Sequence, residues 1–350
     1  MKTNIFGYFA QEISDLIAQY GLEKYRGRQI AEWIYRRGVS CFADMTNLPL
    51  KKRDLLAENF TIDTAYVTAA QHSADRKTSK FLLKFSDGAA VETVLMRHSY
   101  GNSLCVSTQV GCGMGCSFCA STLQGVARNL SGGEILAQAI FVNNLLSNEQ
   151  SRLNSIVIMG SGEPLANYDN VLRFIRLCHE PYCLNLSYRN ITLSTCGLVP
   201  EMRKLAAEGL PITLAVSLHA PNNELRSQIM PINRRYPIEE VIAAADYYAT
   251  TTGRRVTYEY TLIKGVNDGL KQAYELARLL AGRLANVNLI AVNAVPERGL
   301  LRPDEKQIAA FEQALLRQNV NATVRREMGA DIQAACGQLR KKVLAQQEAR

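Results

Sequence analysis

Much is missing from these 350 residues. No apolar run approaches the ~20 residues that cross a bilayer, and the opening MKTNIFGYFAQEIS lacks the continuous apolar stretch of a secretory signal. A cytoplasmic protein without membrane contact is therefore expected. No segment is of low complexity and no period recurs, which sets solenoids aside. The nine cysteines are an odd number in a chain without an export signal. A disulfide framework is not expected, and clustered cysteines read instead as ligands or reagents. A second C-x2-C pair, the usual frame of structural zinc, is also absent.

What is present is ordinary globular composition, 47% hydrophobic and 21% charged, enough for one large domain and an accessory one. The formal charge of +8 is compatible with a polyanion such as RNA. The spacing of apolar residues predicts helices in EISDLIAQYG, YRGRQIAEWIYRRG and, entered through Pro49, NLPLKKRDLLAENF. Cys41, Cys178, Cys183 and Cys196 read as small buried residues. KFLLKF and AAVETVLM flank the turn SDG and predict a hairpin carrying Glu92 between apolar neighbours. From Leu104 onward, short apolar strands alternate with helical stretches. About six strand–helix units are expected, the pattern of parallel strands with crossover helices. The predicted organisation is a helical unit over 1–62, a β-hairpin extension over 63–97, an α/β barrel over 98–331 and a C-terminal segment over 332–350. Chemistry in such sheets belongs at the carboxyl ends of the strands.

The first strand leads into CGMGCSFC, with Cys112, Cys116 and Cys119 in the spacing C-x3-C-x2-C. Three thiolates on one short loop can hold three irons of a cubane cluster, with glycines letting the backbone wrap closely. The fourth iron is then open to a small chelating ligand. The alternative is a zinc site that recruits His98 or Cys105. At the later strand ends, MGSGEPLAN offers Gly160 and Gly162 for close approach of a ligand and Glu163 to accept from an ammonium group. LSTCG offers Ser194, VSLHA offers Ser217, Leu218 and His219, and LIAVNAV offers Asn293.

The cysteine loop resembles that of the radical S-adenosylmethionine (SAM) superfamily. The resemblance implies a [4Fe–4S] cluster on Cys112, Cys116 and Cys119, with SAM chelating the open iron. It further implies a partial (β/α)6 radical SAM barrel and SAM contacts from Glu163, Pro164, Ser194, Ser217, Leu218, His219 and Asn293. Electron transfer into the sulfonium then gives a 5′-deoxyadenosyl radical. Two further cysteines narrow the resemblance: Cys105 in SLCVSTQVGC and Cys336 in GADIQAACGQLR. With KTSKFLLKFSDG, VETVLM, GCGMGCSFCAST, GEPLAN, SLHAP and LIKGVND, nearly the whole chain is similar to the RlmN/Cfr family of ribosomal RNA adenine methyltransferases.

That resemblance implies that one SAM methylates Cys336 and a second supplies the radical, which takes a hydrogen atom from the S-methyl group. The resulting methylene radical adds to an adenine carbon. Cys105 resolves the adduct, leaving a transient disulfide with Cys336. Glu92 is implied as proton acceptor, with Cys105 as a competing base. The QVGCGMGC lead-in and Pro164 resemble the branch that methylates adenine C2; the branch that methylates C8 is the alternative. Family substrates are 23S rRNA and, for some members, tRNA, and an electron donor such as flavodoxin is implied. The chain is expected to be a monomer. Arg36, Arg37, Lys51, Lys52, Arg325, Arg326, Lys341 and Lys342 are expected at RNA phosphates. A non-catalytic metal-bearing RNA-binding module is the reading from a different class.

Overall fold

The computed structural model describes residues 2–339; Lys341 and Lys342 lie outside that range. One ten-stranded sheet organises the molecule. Seven of its strands are parallel: Gly101–Cys105, Leu153–Ile158, Ile191–Thr195, Thr213–Ser217, Val256–Leu262, Ala285–Ala291 and Ala322–Val324, neighbours in that order. Six of them are followed by a long helix, beginning with Gly132–Asn148 and ending with Glu305–Arg317. This is the expected α/β architecture of six units closed by one further strand. The parallel strands run buried because helices cover one face and the cavity side the other. The helix Gly132–Asn148 starts as the sequence predicts: the Ser131 hydroxyl accepts from the Glu134 N–H at 3.1 Å, and the Glu134 carboxylate accepts from the Ser131 N–H at 2.8 Å.

The expected hairpin is larger than its turn signal suggests. Thr78–Lys84 and Ala90–His98 pair antiparallel around SDG, but Tyr66–His72 adds a third strand. Ala90–His98 also pairs with Gly101–Cys105, so the extension is fused to the barrel sheet. The third strand escapes a reading of alternation because most of its residues are exposed on both faces.

The three N-terminal helices form as expected over Ala10–Ala18, Arg26–Ala31 and Leu50–Asn59. The second continues into a wider π turn, Glu32–Arg36, closed by the Arg37 N–H to the Glu32 carbonyl at 3.2 Å. Arg173 ties this unit to the barrel: its Nε donates to the Gly7 carbonyl at 2.7 Å and its guanidinium pairs with Glu12. Cys178, Cys183 and Cys196 are buried as expected, but Cys41 is exposed because it precedes the short turn Phe42–Asp44 at the surface.

Candidate active site

The chain leaves the sheet at Cys105 and forms a separate two-stranded ribbon, Gln109–Gly111 with Val126–Asn129. The cysteine loop is the tip of that ribbon rather than a simple strand-end loop. Its base is closed by the Cys112 N–H to the Gly125 carbonyl at 2.9 Å. Gly111 sits at φ +80°, and a Cβ there would stand 2.0 Å from the same carbonyl oxygen. Thr122 Oγ1 donates to the Cys119 carbonyl at 2.9 Å, and the Ser117 N–H donates to the Ile229 carbonyl at 2.9 Å. These ties fix the three thiols before any ligand arrives.

The loop faces a cavity of about 150 Å³ at the carboxyl ends of the strands. Cys112, Cys116, Cys119, Glu163, Ser194, Ser217, His219, Asn293 and Cys336 all line it. Burial, then the neighbouring thiols, pushes Cys116 well above an ordinary thiol; burial also raises Cys119 and takes Cys112 to about 11. Three such groups lose protons together only against a strong positive charge, which iron provides. Among the described residues, no three His, Cys, Asp or Glu side chains converge as a single metal ion requires. The thiols instead border a space, as a multi-iron cluster needs, and the zinc alternative finds no four-ligand frame.

The strand ends refine several expectations. Glu163 is buried, and one carboxylate oxygen accepts from the Leu165 N–H at 3.0 Å, the other from the Cys196 N–H at 2.8 Å. It thus braces two strand ends. Burial raises its pKa, against hydrogen bonds from Cys196 and Thr195. Pro164 opens the 3-10 turn Pro164–Asn167 that this carboxylate caps. Gly160 and Gly162 line the cavity and also let neighbouring protein approach closely. A Cβ at Gly160 would lie 2.6 Å from the Val106 carbonyl oxygen, and one at Gly162 would lie 2.7 Å from Gln109 Cβ.

The Ser194 and Ser217 hydroxyls lie 3.4 Å apart on adjacent strands. Leu218 is fully buried in the core, and its N–H and carbonyl are taken by Glu259 and Arg226; its side chain is absent from the cavity wall. His219 Nδ1 accepts from the Thr261 N–H at 2.9 Å, so the neutral ring carries its proton on Nε2. Burial, then Arg226, holds His219 down at about 3. Asn293 Nδ2 donates to the Cys336 carbonyl at 2.8 Å, and its buried Oδ1 has no hydrogen-bond partner among the described residues. An orphaned acceptor in a cavity wall fits a ligand that donates there, as an adenine amine or a ribose hydroxyl does.

Cys336 reaches this wall from the far end of the chain. The Ala120 N–H of the cysteine loop donates to the Gly337 carbonyl at 2.7 Å, and Ser121 Oγ donates to the Leu339 carbonyl at 3.0 Å. Lys80 Nζ donates to the Gln333 carbonyl at 3.2 Å and pairs with Glu92 at 3.2 Å, both side chains buried. Glu92 lines an adjoining cavity with Ser121 and Leu339, not the one that Cys336 shares with the three thiols. Cys105 faces Cys336 in a third, connected space that also borders Asn293 and Arg325. Both are free thiols, as are the other seven cysteines, so the implied disulfide is not formed in this state. Burial, then the neighbouring Cys336, takes Cys105 to about 12, which favours its protonated form.

Three residues of this site carry no motif. Arg325, expected at an RNA phosphate, turns inward and lines the space shared by Cys105 and Cys336, where the neighbouring Cys336 and then Glu259 favour its charged form against the effect of burial. Glu259 is buried mid-strand, accepting from Asn288 Nδ2 at 3.0 and 3.1 Å. A charged residue in a strand with both faces buried was the available signal. Arg226 is fully buried and donates to the carbonyls of Cys196 at 2.7 Å and Ser217 at 3.3 Å and to Asn233 Oδ1 at 2.9 Å. It locks the third and fourth parallel strand ends to the short helix Asn223–Ile229.

Comparison with known proteins agrees with this geometry. Residues 106–277 match the Radical SAM superfamily, and residues 3–62 match the Ribosomal RNA large subunit methyltransferase N-terminal domain. A probable dual-specificity RNA methyltransferase RlmN of Symbiobacterium thermophilum is 52% identical over 335 residues, covering 95% of this chain and 90% of the relative. Its counterpart in Geobacillus kaustophilus is 50% identical over 339 residues, covering 97% and 93%. The crystal structure of a radical SAM methyltransferase from Sphaerobacter thermophilus superposes with a TM-score of 0.94 at 45% identity, covering 97% of this chain and 99% of that one. A three-thiol loop at the mouth of a parallel barrel, a fourth thiol delivered from the C-terminal segment and relatives that align along almost the full chain lead to one conclusion: the chain belongs to the RlmN family of radical SAM RNA methyltransferases.

Proposed function

We propose that the chain methylates C2 of an adenosine in the peptidyl-transferase region of 23S rRNA, and the adenosine 3′ of the anticodon in tRNA, with Cys336 as the methyl carrier. The observation that carries this reading is the position of Cys336. It hangs between the cysteine loop, through Ala120 and Gly337, and the strand end at Asn293, opposite Cys105. Adenine C2 bears no acidic proton and is electron-poor, so polar methyl transfer fails there. The [4Fe–4S] cluster and SAM, when bound, supply a carbon radical able to take a hydrogen atom from a methyl thioether.

This chain's residues do the rest. Cys112, Cys116 and Cys119 hold the cluster. Ser194 and Ser217 offer hydroxyls to the carboxylate of SAM, and Asn293 Oδ1 accepts from its adenosine part. Glu163, Pro164, Leu218 and His219 shape the pocket through the strand ends they brace, and the Glu163 carboxylate would accept from the ammonium group of SAM. Cys336 sulfur carries the methyl group whose carbon bonds to the adenine. The ring adduct then gives a proton to Glu92, whose charge Lys80 offsets, and its odd electron, which the bound cluster would take back. The Cys105 thiol then gives up its proton and bonds to the Cys336 sulfur as the sulfur–carbon link to RNA breaks; the bond pair stays on the carbon, which takes a proton and becomes the methyl group, and the disulfide takes two electrons from a thiol reductant before the next turnover. The assignment to C2 rests on QVGCGMGC and Pro164. The segments 1–62, 63–97, 98–331 and 332–350 act respectively as RNA-binding unit, extension, catalytic barrel and carrier segment. A cytoplasmic monomer, reduced by a flavodoxin-type donor, completes the reading; no helix of the described residues is long and apolar enough to cross a membrane.

Nucleoside mass spectrometry of rRNA and tRNA from cells with and without the gene tests this proposal. Loss of 2-methyladenosine from both RNAs is expected, restored by the wild-type chain and not by Cys336→Ala. A Cys105→Ala chain is expected to remain covalently attached to RNA. Absence of 2-methyladenosine in the complemented strain rejects the proposal.

A further inference from the structure

On the solvent side of the cysteine loop lies a second depression, of about 380 Å³, lined by Gly113, Met114, Pro231, Ile232, Arg234 and Arg235. Met114 also lines the inner cavity and so borders both spaces. Gly113 and Gly115 are exposed there, each next to a cysteine of the loop. A Cβ on Gly115 would lie 3.4 Å from the Pro231 ring, so loop and turn form one continuous surface. The turn Pro231–Arg234 is held firmly from beneath: Asn233 Nδ2 donates to Ser227 Oγ at 2.8 Å, and its Oδ1 accepts from Arg226 at 2.9 Å. Arg234 and Arg235 are exposed and form no ion pair among the described residues. Arg235 lies over the ring of its neighbour Tyr236, 5.3 Å from the centroid, and leaves its charge facing outward.

An apolar floor flanked by two free guanidinium groups is a surface for an acidic protein. Its location gives the partner a purpose. The proposed reaction needs one electron to start the radical cleavage of the second SAM, and the loop's other sides are taken by the inner cavity and by the C-terminal segment at Ala120. We propose that this depression docks an acidic one-electron carrier protein, a reduced flavoprotein, against the outer edge of the cysteine loop. The proposal rests on the radical SAM methyltransferase reading and adds the route by which the electron enters. One electron leaves the carrier's flavin hydroquinone, which loses a proton and becomes the semiquinone; the group held by Cys112, Cys116 and Cys119 is reduced by one charge. RNA phosphate would also be drawn to two arginines. The apolar floor of Met114, Pro231 and Ile232 favours a protein, and the base-accepting cavity lies behind the loop.

The test uses the full-length double variant R234E/R235E. Association with oxidised bacterial flavodoxin is measured by calorimetry at about 20 and about 200 mM salt, where screening separates charged docking from the rest. Bleaching of the cluster absorbance is followed with flavodoxin hydroquinone and, separately, with dithionite. The expected result is association weakened about tenfold or more at low salt, a matching slowing with flavodoxin, and unchanged reduction by dithionite. Unchanged association overturns the proposal. So does a rate lost equally with both reductants, or weaker binding of an rRNA fragment with flavodoxin binding intact. If the wild-type chain transfers no methyl group even under dithionite, the methyltransferase reading itself fails, independently of the docking result.

Discussion

The two cysteine-bearing segments of the site are built in opposite ways. The loop Cys112–Cys119 is held by its own neighbourhood: Gly125, Thr122 and the adjacent helix end at Ile229 supply its ties. The segment around Cys336 has little internal structure, a single 3-10 turn at Ala330–Ile332. It is fixed by distant groups: Lys80, Asn293, Ala120, Ser121, and the Ala74 N–H to Asp331 at 2.9 Å. The difference teaches that a group fixed for the life of the protein sits on a locally braced loop. The thiol proposed to carry the methyl group sits on a segment whose contacts are scattered over distant parts of the fold.

The sharpest way to break the comparison is to remove one thiol from each side. Cys116→Ala is expected to abolish iron retention and SAM cleavage together. Cys336→Ala is expected to keep both and lose all methyl transfer, as iron analysis and 5′-deoxyadenosine release would show. Equal loss in both variants would erase the distinction.

A second disruption targets the bracing. Arg226→Met removes a buried cation and leaves the carbonyls of Cys196, Leu218 and Ser217 without that donor. A loss of about 3 kcal/mol is expected in denaturant unfolding, because buried acceptors stripped of a charged donor pay their desolvation in full. A change below about 1 kcal/mol would show that the strand ends hold themselves.

Acid probes the same region more gently. His219 is held at about 3 by burial and then by Arg226, well below the ordinary imidazole value of 6.5. The fold favours the neutral ring, so this contribution is complete above about pH 6.5 and is lost as pH falls towards about 3. Urea midpoints measured from pH 7.5 downward should therefore decline, and His219→Gln should decline less steeply. The smallest effect is expected from Asn293→Ala, which removes one hydrogen bond to the Cys336 carbonyl. Global stability should change by about 1 kcal/mol or less, while amide exchange around residues 335–337 accelerates. Unchanged exchange there would mean that Ala120 and Lys80 suffice.

The same contrast governs what the sequence makes legible. Strand–helix alternation, the capping box at Ser131 and the three-cysteine spacing are local patterns, and each gives its element in the right place. The polar residues at strand ends gather in one cavity because a parallel barrel brings its carboxyl ends together. Legibility fails where position depends on the far side of the fold. Arg325 and Arg326 look alike in VRRE, yet Arg325 turns in towards Cys336 and Arg326 faces solvent, a choice set by the end of a three-residue strand. Arg226 has no motif because its partners are backbone carbonyls, which any sequence provides. The resemblance places Leu218 beside His219 at the cofactor, but successive side chains leave a strand end in opposite directions, and the Leu218 side chain is buried in the core. Cys336 itself becomes legible only through resemblance; its spacing within the segment says nothing of the loop it meets.

The hydrogen bond from Ala120 to Gly337 also sets an order in time. A chain emerges N-terminal part first as it is synthesised. The cysteine loop, its ribbon and every helix of the barrel exist before the partner of Ala120 has been made. Through that interval the flank of the loop that Gly337 will cover is open, and iron and sulfide have a path that the finished fold narrows. The last stretch of the described chain to be made both closes that flank and brings Cys336 to the cavity behind it.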